Sequence, residues 1–228
     1  MINMIKLDWL SMKFYWFRII ILPIMVIIYG LLSEAIIIPL ISFIMLSFSV
    51  NPFAVEEKGK LDNLYLTLPI TRIDIVKTRY SLSLIMQLSG IIFGVIVTIL
   101  MSSILKDTSI FFERTFTCDL KTIWLLICGS LLFYSIINLS MFPTLFKIGY
   151  AKGKAIGFYI PLAGVTVVIM GVYFAWFLSE GFQEWLVNTI DWIYSNPILI
   201  SGILLISSVL ILYLSYSLSC KFYSNRDL

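Results

Sequence analysis

The chain contains no histidine, so it lacks the side chain that most often moves protons near neutral pH and most often ligates metals. Histidine-based acid–base catalysis and an ordinary zinc site are therefore not expected, and the sequence singles out no catalytic residue and no metal ligand. Charge is also scarce. Only 13% of the 228 residues are charged, against roughly a quarter in a soluble domain. Cysteine is limited to Cys118, Cys128 and Cys220, which fall in an outer loop, inside a span and at the inner end of another span. With one thiol facing an oxidising side, no disulfide framework is expected. What remains is apolar: 60% of residues, with a mean hydropathy of +1.00.

The apolar residues come in long uncharged runs, 19–33, 35–55, 80–105, 122–146, 155–179 and 192–220. About 20 apolar helical residues cross the roughly 30 Å of bilayer hydrocarbon. The first run reaches that length from Phe14 to Leu32 if Arg18 snorkels to the interface. A single transmembrane domain over 1–228 is expected: an all-α integral membrane fold with six spans at 14–32, 35–51, 80–105, 122–146, 155–179 and 197–220. The N-terminal segment is long and largely apolar, with no small-x-small cleavage site after the first span, so that span reads as retained. Lys and Arg set the orientation. With both termini cytoplasmic, 13 of the 16 basic residues lie inside and only Lys106, Arg114 and Lys121 outside. The net charge of +3 thus reports topology, not nucleic-acid binding.

Residues 1–18 place Ile2, Ile5, Trp9, Met12 and Trp16 on one helical face bordered by Lys6 and Lys13, the pattern of a helix lying in the membrane interface. The alternative is a plain extension of the first span. Gly90 and Gly94 form a GxxxG pair that allows close helix approach, and Gly157, Gly164 and Gly171 recur every seven residues on one face around Pro161. Helix packing accounts for them; a dimer seam or hinge is the alternative. In the last outer loop Phe182, Trp185, Leu186, Ile190 and Ile193 recur near helical spacing, which predicts a short outer interfacial helix.

One segment breaks the apolar pattern. In "EEKGKLDNLYLTLPITRIDIVKTRY", residues 56–80, nine of the 25 residues are charged. Leu61, Leu64, Tyr65 and Leu68 form an i, i+3, i+4, i+7 stripe, which predicts a water-facing amphipathic helix over 56–68. Glu56 and Glu57 stand at its start, where acids suit the helix dipole, with Lys58 beside them. Leu68-Pro69 stops that helix. Thr71 and Asp74 then form a capping box, with Ile70 and Ile75 as a hydrophobic staple. A helix is predicted from Arg72 through Leu105, about 51 Å long at 1.5 Å per residue. A soluble connecting loop would have no need of a stripe, a stop and a staple in succession.

This stretch resembles the first cytoplasmic loop of type-2 ATP-binding-cassette (ABC-2) exporter permeases of Gram-positive bacteria. There an acidic pair, a Leu-rich helix, a Leu-Pro-hydroxyl-Arg turn and an Ile-Val-x-x-[KR]-Tyr run recur. The close match covers Phe53 to Tyr80, and the rest agrees in layout. Within that class the chain is similar to the small permeases of staphylococcal-type exporters of amphipathic peptides, the phenol-soluble modulins. The resemblance implies a plasma-membrane permease that works as a pair, with a second copy or a paralogue, and with separate cytosolic ATPase subunits that hold ATP and Mg. It also implies that 52–79 is the cytoplasmic coupling loop, with Glu56, Glu57, Lys58, Leu61, Leu64, Tyr65, Leu68, Pro69 and Arg72 at the contact with the ATPase.

The residues themselves agree that energy arrives from elsewhere. A Walker A loop needs GxxxxGK[ST], and "GYAKGKA" at 149–155 is one residue short between its glycines and has Ala155 in place of the hydroxyl. "QLSGI" at 87–91 lies inside a span. Ion-driven carriers need ionisable groups within the membrane, and here Arg18 and Glu34 lie at span ends. Uncharged spans favour hydrophobic or amphipathic cargo. Two other classes stand beside this reading: a non-transporting immunity or scaffold subunit, and an intramembrane peptidase. The peptidase motif EExxxR works with histidines, and this chain has Leu61 at the Arg position and no histidine.

Overall fold

The computed structural model describes residues 6, 8–10, 37–59, 71–105 and 119–225, and every element among them is helical. Helix α1 is Ile37–Ser49 and α2 is Asn51–Gly59. Helix α3 is Arg72–Leu105 and α4 is Leu120–Ile148. A short α5, Tyr150–Lys154, leads through a π-helical turn, Ala155–Tyr159, into α6, Ile160–Leu178. Helix α7 is Glu180–Ser195 and α8 is Pro197–Ser224. Five stretches are long and apolar enough to cross a membrane: Ile37–Gly59, Arg72–Ser103, Leu120–Ile148, Tyr150–Leu178 and Pro197–Ser224. The expected first span, 14–32, lies outside the described residues. Of the expected interfacial helix, Lys6 and residues 8–10 are described and are helical.

Helix α3 has the bounds read from its capping box. The Asp74 amide donates to Thr71 Oγ1 (3.2 Å), and the Thr71 hydroxyl donates to the Asp74 carboxylate (2.6 Å). One chain-end amide is thereby satisfied, while the Asp74 carboxylate takes the Thr71 hydroxyl, and the helix direction is fixed from its first turn. Helix α7 occupies the stretch between the last two spans where a short helix was expected, capped by Ser179, whose hydroxyl oxygen accepts from the Phe182 amide.

The segment between α1 and α3 departs from expectation. The helix predicted over 56–68 does not start at the acidic pair; instead Asn51–Gly59 is one helix, and Glu56 and Glu57 lie in its closing turns. The physical reason is burial at its start. Phe53 packs edge-on against Phe142 (5.7 Å between centroids) and Phe146 (5.0 Å) of α4. Pro52, which has no amide to donate, opens the new helix. The span expected to end at 51 therefore continues through a turn at Val50 into α2 and reaches Gly59. Likewise the span expected to start at 155 starts at Tyr150. Leu61, Leu64, Tyr65, Leu68 and Pro69 lie outside the described residues.

Two helix pairs organise the bundle, α4 with α8 and α1 with α3. Lipid offers apolar surface as readily as another helix does, so close approach between small residues holds such pairs. The buried residues of α8 are Ser201, Ser208, Ser215, Ser219 and Tyr223. Gly90 faces Met45, and Gly94 lies where an added Cβ would sit 3.2 Å from the Ile38 Cα. Both glycines are thus packing sites between α3 and α1 of the same chain. The expected common face of Gly157, Gly164 and Gly171 splits. Gly157 presses on α4, with an added Cβ only 2.8 Å from the Met141 Cα, whereas Gly164 and Gly171 face open space.

Candidate functional site: the buried base of the loop between α1 and α3

The main apolar core gathers at one end of the bundle, from Leu46, Val50 and Phe53 through Ile75, Val76 and Tyr80 to Tyr134, Phe142, Phe146 and Tyr223. Inside this end lies a cluster of three charges from three separate stretches. Arg79 of α3 is 1% exposed. Its Nη2 donates to Glu56 Oε2 of α2 (3.0 Å), and its Nε lies 3.4 Å from Asp8 Oδ2 of the N-terminal helix. The guanidinium also stacks over the Phe53 ring, 4.9 Å from its centroid. A buried charge is tolerated when it is paired, and one planar fork can hold two carboxylates and an aromatic face together. Burial pushes the Asp8 carboxyl above its ordinary range, while Arg79 pulls it back down.

Glu57 makes a second tie. Its Oε2 accepts from the amides of Tyr150 (2.6 Å) and Ala151 (3.0 Å), the first two amides of α5, which have no helical partner of their own. That helix start is possible because Gly149 takes φ 89°, ψ 178°, a backbone region essentially confined to glycine. Between Phe53, Glu56, Glu57 and the Leu145–Lys152 turn lies a cleft of about 330 Å³. Arg72 makes the third tie: its Nη1 donates to the carbonyls of Tyr223 and Ser224 (3.2 Å each), the last turn of α8.

Below these ties, hydroxyls join the long helices. Tyr80 Oη bonds Ser215 Oγ (2.6 Å) and Ser219 Oγ (2.8 Å), Ser83 Oγ bonds Tyr134 Oη (2.7 Å), and Ser215 Oγ donates to the Asn138 carbonyl (2.9 Å). On the other side of α4, Ser140 Oγ donates to the Gly157 carbonyl (2.8 Å) and Thr144 Oγ1 to the Gly153 carbonyl (3.3 Å).

The residues singled out from sequence thus divide. Glu56 and Arg72 are inward-reaching ties, and Glu56, expected on a water-facing helix, is 9% exposed because it neutralises Arg79. Glu57 is exposed yet engaged with α5, and Lys58 is exposed at the end of α2. Asp8 and Arg79 were missed. The signal was present: Asp8 is the lone acid of residues 1–18, and Arg79 is the basic residue of the Ile75-Val76-x-x-Arg79-Tyr80 run, directly before 26 uncharged positions.

The chain matches the family described as ABC-2 family transporter protein over residues 3–224, and it belongs to that family. It is therefore a multi-pass membrane component of an ABC transporter, a permease of a kind that works with an ATP-binding partner. Neither a curated protein nor a solved structure matches it.

Proposed function

We propose that the chain is the permease subunit of an ABC exporter at the cell membrane, moving hydrophobic or amphipathic cargo outward, amphipathic peptides among the candidates. A separate cytosolic ATPase holds the ATP and Mg, and a second permease, copy or paralogue, completes the pathway. The basic end of the bundle faces the cytoplasm, which follows the distribution of Lys and Arg. The segment 52–79 is the coupling element. The observation that carries this is the fixation of both roots of that segment. Its leading root is held by Glu56 to Arg79 and by Glu57 to α5; its trailing root is held by Arg72 to α8. A partner that displaces residues 60–70 acts on two firmly held helix ends rather than on a slack loop. Helix α3 then carries the displacement along its 34 residues.

The test is co-purification with a candidate cytosolic ATP-binding-cassette ATPase from the same cell, followed by coupled assays. Glu57→Arg and Leu64→Asp should leave insertion intact and ATP hydrolysis active while export falls. Unchanged export in both variants would overturn the coupling role. Preference for a small hydrophilic ion would overturn the cargo class.

A further inference from the structure

A second cavity, about 200 Å³, lies beside the base and is separate from the cleft at Glu57. Its walls come from the end of α1 and start of α2 (Ser47, Val50, Asn51), from α4 (Met141), and from α5 and the π turn (Tyr150, Lys154, Tyr159). At roughly 30 Å³ per water, it has room for a group several waters in size. Its polar lining is headed by one ammonium and one amide. Asn51 is 3% exposed, and its Nδ2 is buried with no hydrogen-bond partner, a state that costs free energy unless something accepts from it. The half-buried Lys154 ammonium lies over the Tyr150 ring (5.6 Å) and makes no ion pair with a described residue. Ser47, whose hydroxyl donates to the Phe43 carbonyl (3.3 Å), and Tyr159 complete the polar wall, and the described lining includes no carboxylate. Val50 and Met141 supply an apolar wall. The cavity lies where the spans Ile37–Gly59 and Tyr150–Leu178 reach the basic end of the bundle, the depth at which basic pockets between helices take lipid headgroups.

We propose that this cavity is a binding site for a phosphate group, with Lys154 supplying the charge and the Asn51 amide, turned so that its unpartnered Nδ2 faces the cavity, the donor. Two sources carry that chemistry, an anionic phospholipid headgroup and free phosphate. The apolar wall and the position at a span end fit the lipid. A headgroup seated there bridges α1–α2 to α5 and the π turn, so that the lipid becomes part of the joint between them. This site is independent of the export reading, since it requires neither cargo nor an ATPase.

The experiment uses the full chain in nanodiscs of phosphatidylcholine with and without phosphatidylglycerol, and in detergent with inorganic phosphate. Retained lipid is read by native mass spectrometry and stability by thermal shift. The wild type should retain phosphatidylglycerol over phosphatidylcholine. Lys154→Gln should weaken that retention about fivefold. Asn51→Asp, which keeps the shape and adds a repelling charge, should weaken it at least as much. Lys152→Gln, a nearby exposed basic residue outside this cavity, should leave it within twofold. A thermal shift with inorganic phosphate alone, lost in Lys154→Gln, would support the phosphate site and assign it to the free anion. Equal losses in the Lys152 and Lys154 variants would overturn the proposal in favour of general surface attraction. So would the absence of any shift with either probe.

Discussion

The two ends of this chain's helical inventory are held in opposite ways. Where α1, α2, α3, α4 and α8 meet, aromatic rings, a buried guanidinium and a ladder of hydroxyls are shared between stretches up to 152 residues apart. Helices α6 and α7 have no buried residue at all. Val167, Val168, Ile169, Met170, Tyr173, Phe174 and Phe177 all point outward, and among the described residues the close attachments of this arm are at its root, where Gly157 and Gly153 lie against α4 and Glu57 holds the Tyr150 and Ala151 amides. The same apolar composition thus serves one rigid block and one projecting arm. What separates them is neither hydrophobicity nor glycine content, since the arm carries Gly164 and Gly171, but small residues that meet a neighbouring helix and polar groups paired between helices, which in lipid are what helices can use to recognise one another.

That contrast can be broken deliberately. The largest effect is expected from Arg79→Met, which strands Asp8 and Glu56 in a buried site. Removing one partner of a buried ion cluster costs about 3–5 kcal/mol, read as a lower unfolding temperature of the purified protein in detergent. Next come two glycines at the root of the arm. Gly157→Ala forces a Cβ toward the Met141 backbone and should cost about 1–3 kcal/mol. Gly149→Ala, imposing a side chain on a glycine-only backbone, should cost about the same. Tyr80→Phe removes one hydroxyl from two serine contacts and should cost about 1 kcal/mol. Gly164→Ala and Gly171→Ala, in the arm, should change the stability of the isolated chain by less than about 0.5 kcal/mol. If the arm variants proved as damaging as Gly157→Ala, the division into block and arm would fail.

Acid adds a subtler probe. The Asp8 carboxyl is raised above its ordinary 3.8 because burial disfavours its charge more than Arg79 favours it. A raised carboxyl makes the folded state lose stability as pH climbs through that interval. Asp8→Asn, which cannot ionise, should therefore gain relative to the wild type as pH rises from about 4, measured by unfolding temperature across a pH series.

Much of the architecture was legible because it follows local rules. Thr71 and Asp74 announced the start of α3, and uncharged runs announced the five spans found among the described residues. Gly90 and Gly94 announced close approach, though not which helix they would meet. The candidate site was legible only in outline. Periodicity treats every charge as solvent-seeking, and Glu56 is instead paired with a residue 23 positions away, while Asp8 comes from the far end of the chain. Such pairing is a property of three-dimensional neighbours: the sequence marks Asp8 as a lone acid and Arg79 as the last charge before an uncharged run, but not which charge meets which. The helix at Asn51–Gly59 was hidden for a related reason: its register is set by Phe53 finding Phe142 and Phe146, not by any repeat in its own sequence.

The carboxylate of Glu57, bonded to two amides 93 and 94 residues onward, has a mechanical corollary. Whatever shifts the tail of α2 must drag the hinge at Gly149 with it or tear those two bonds. Under the proposed coupling, a single stroke at this point is divided between two levers, one along α3 and one along the helix that begins at Tyr150, so that their movements stay in step.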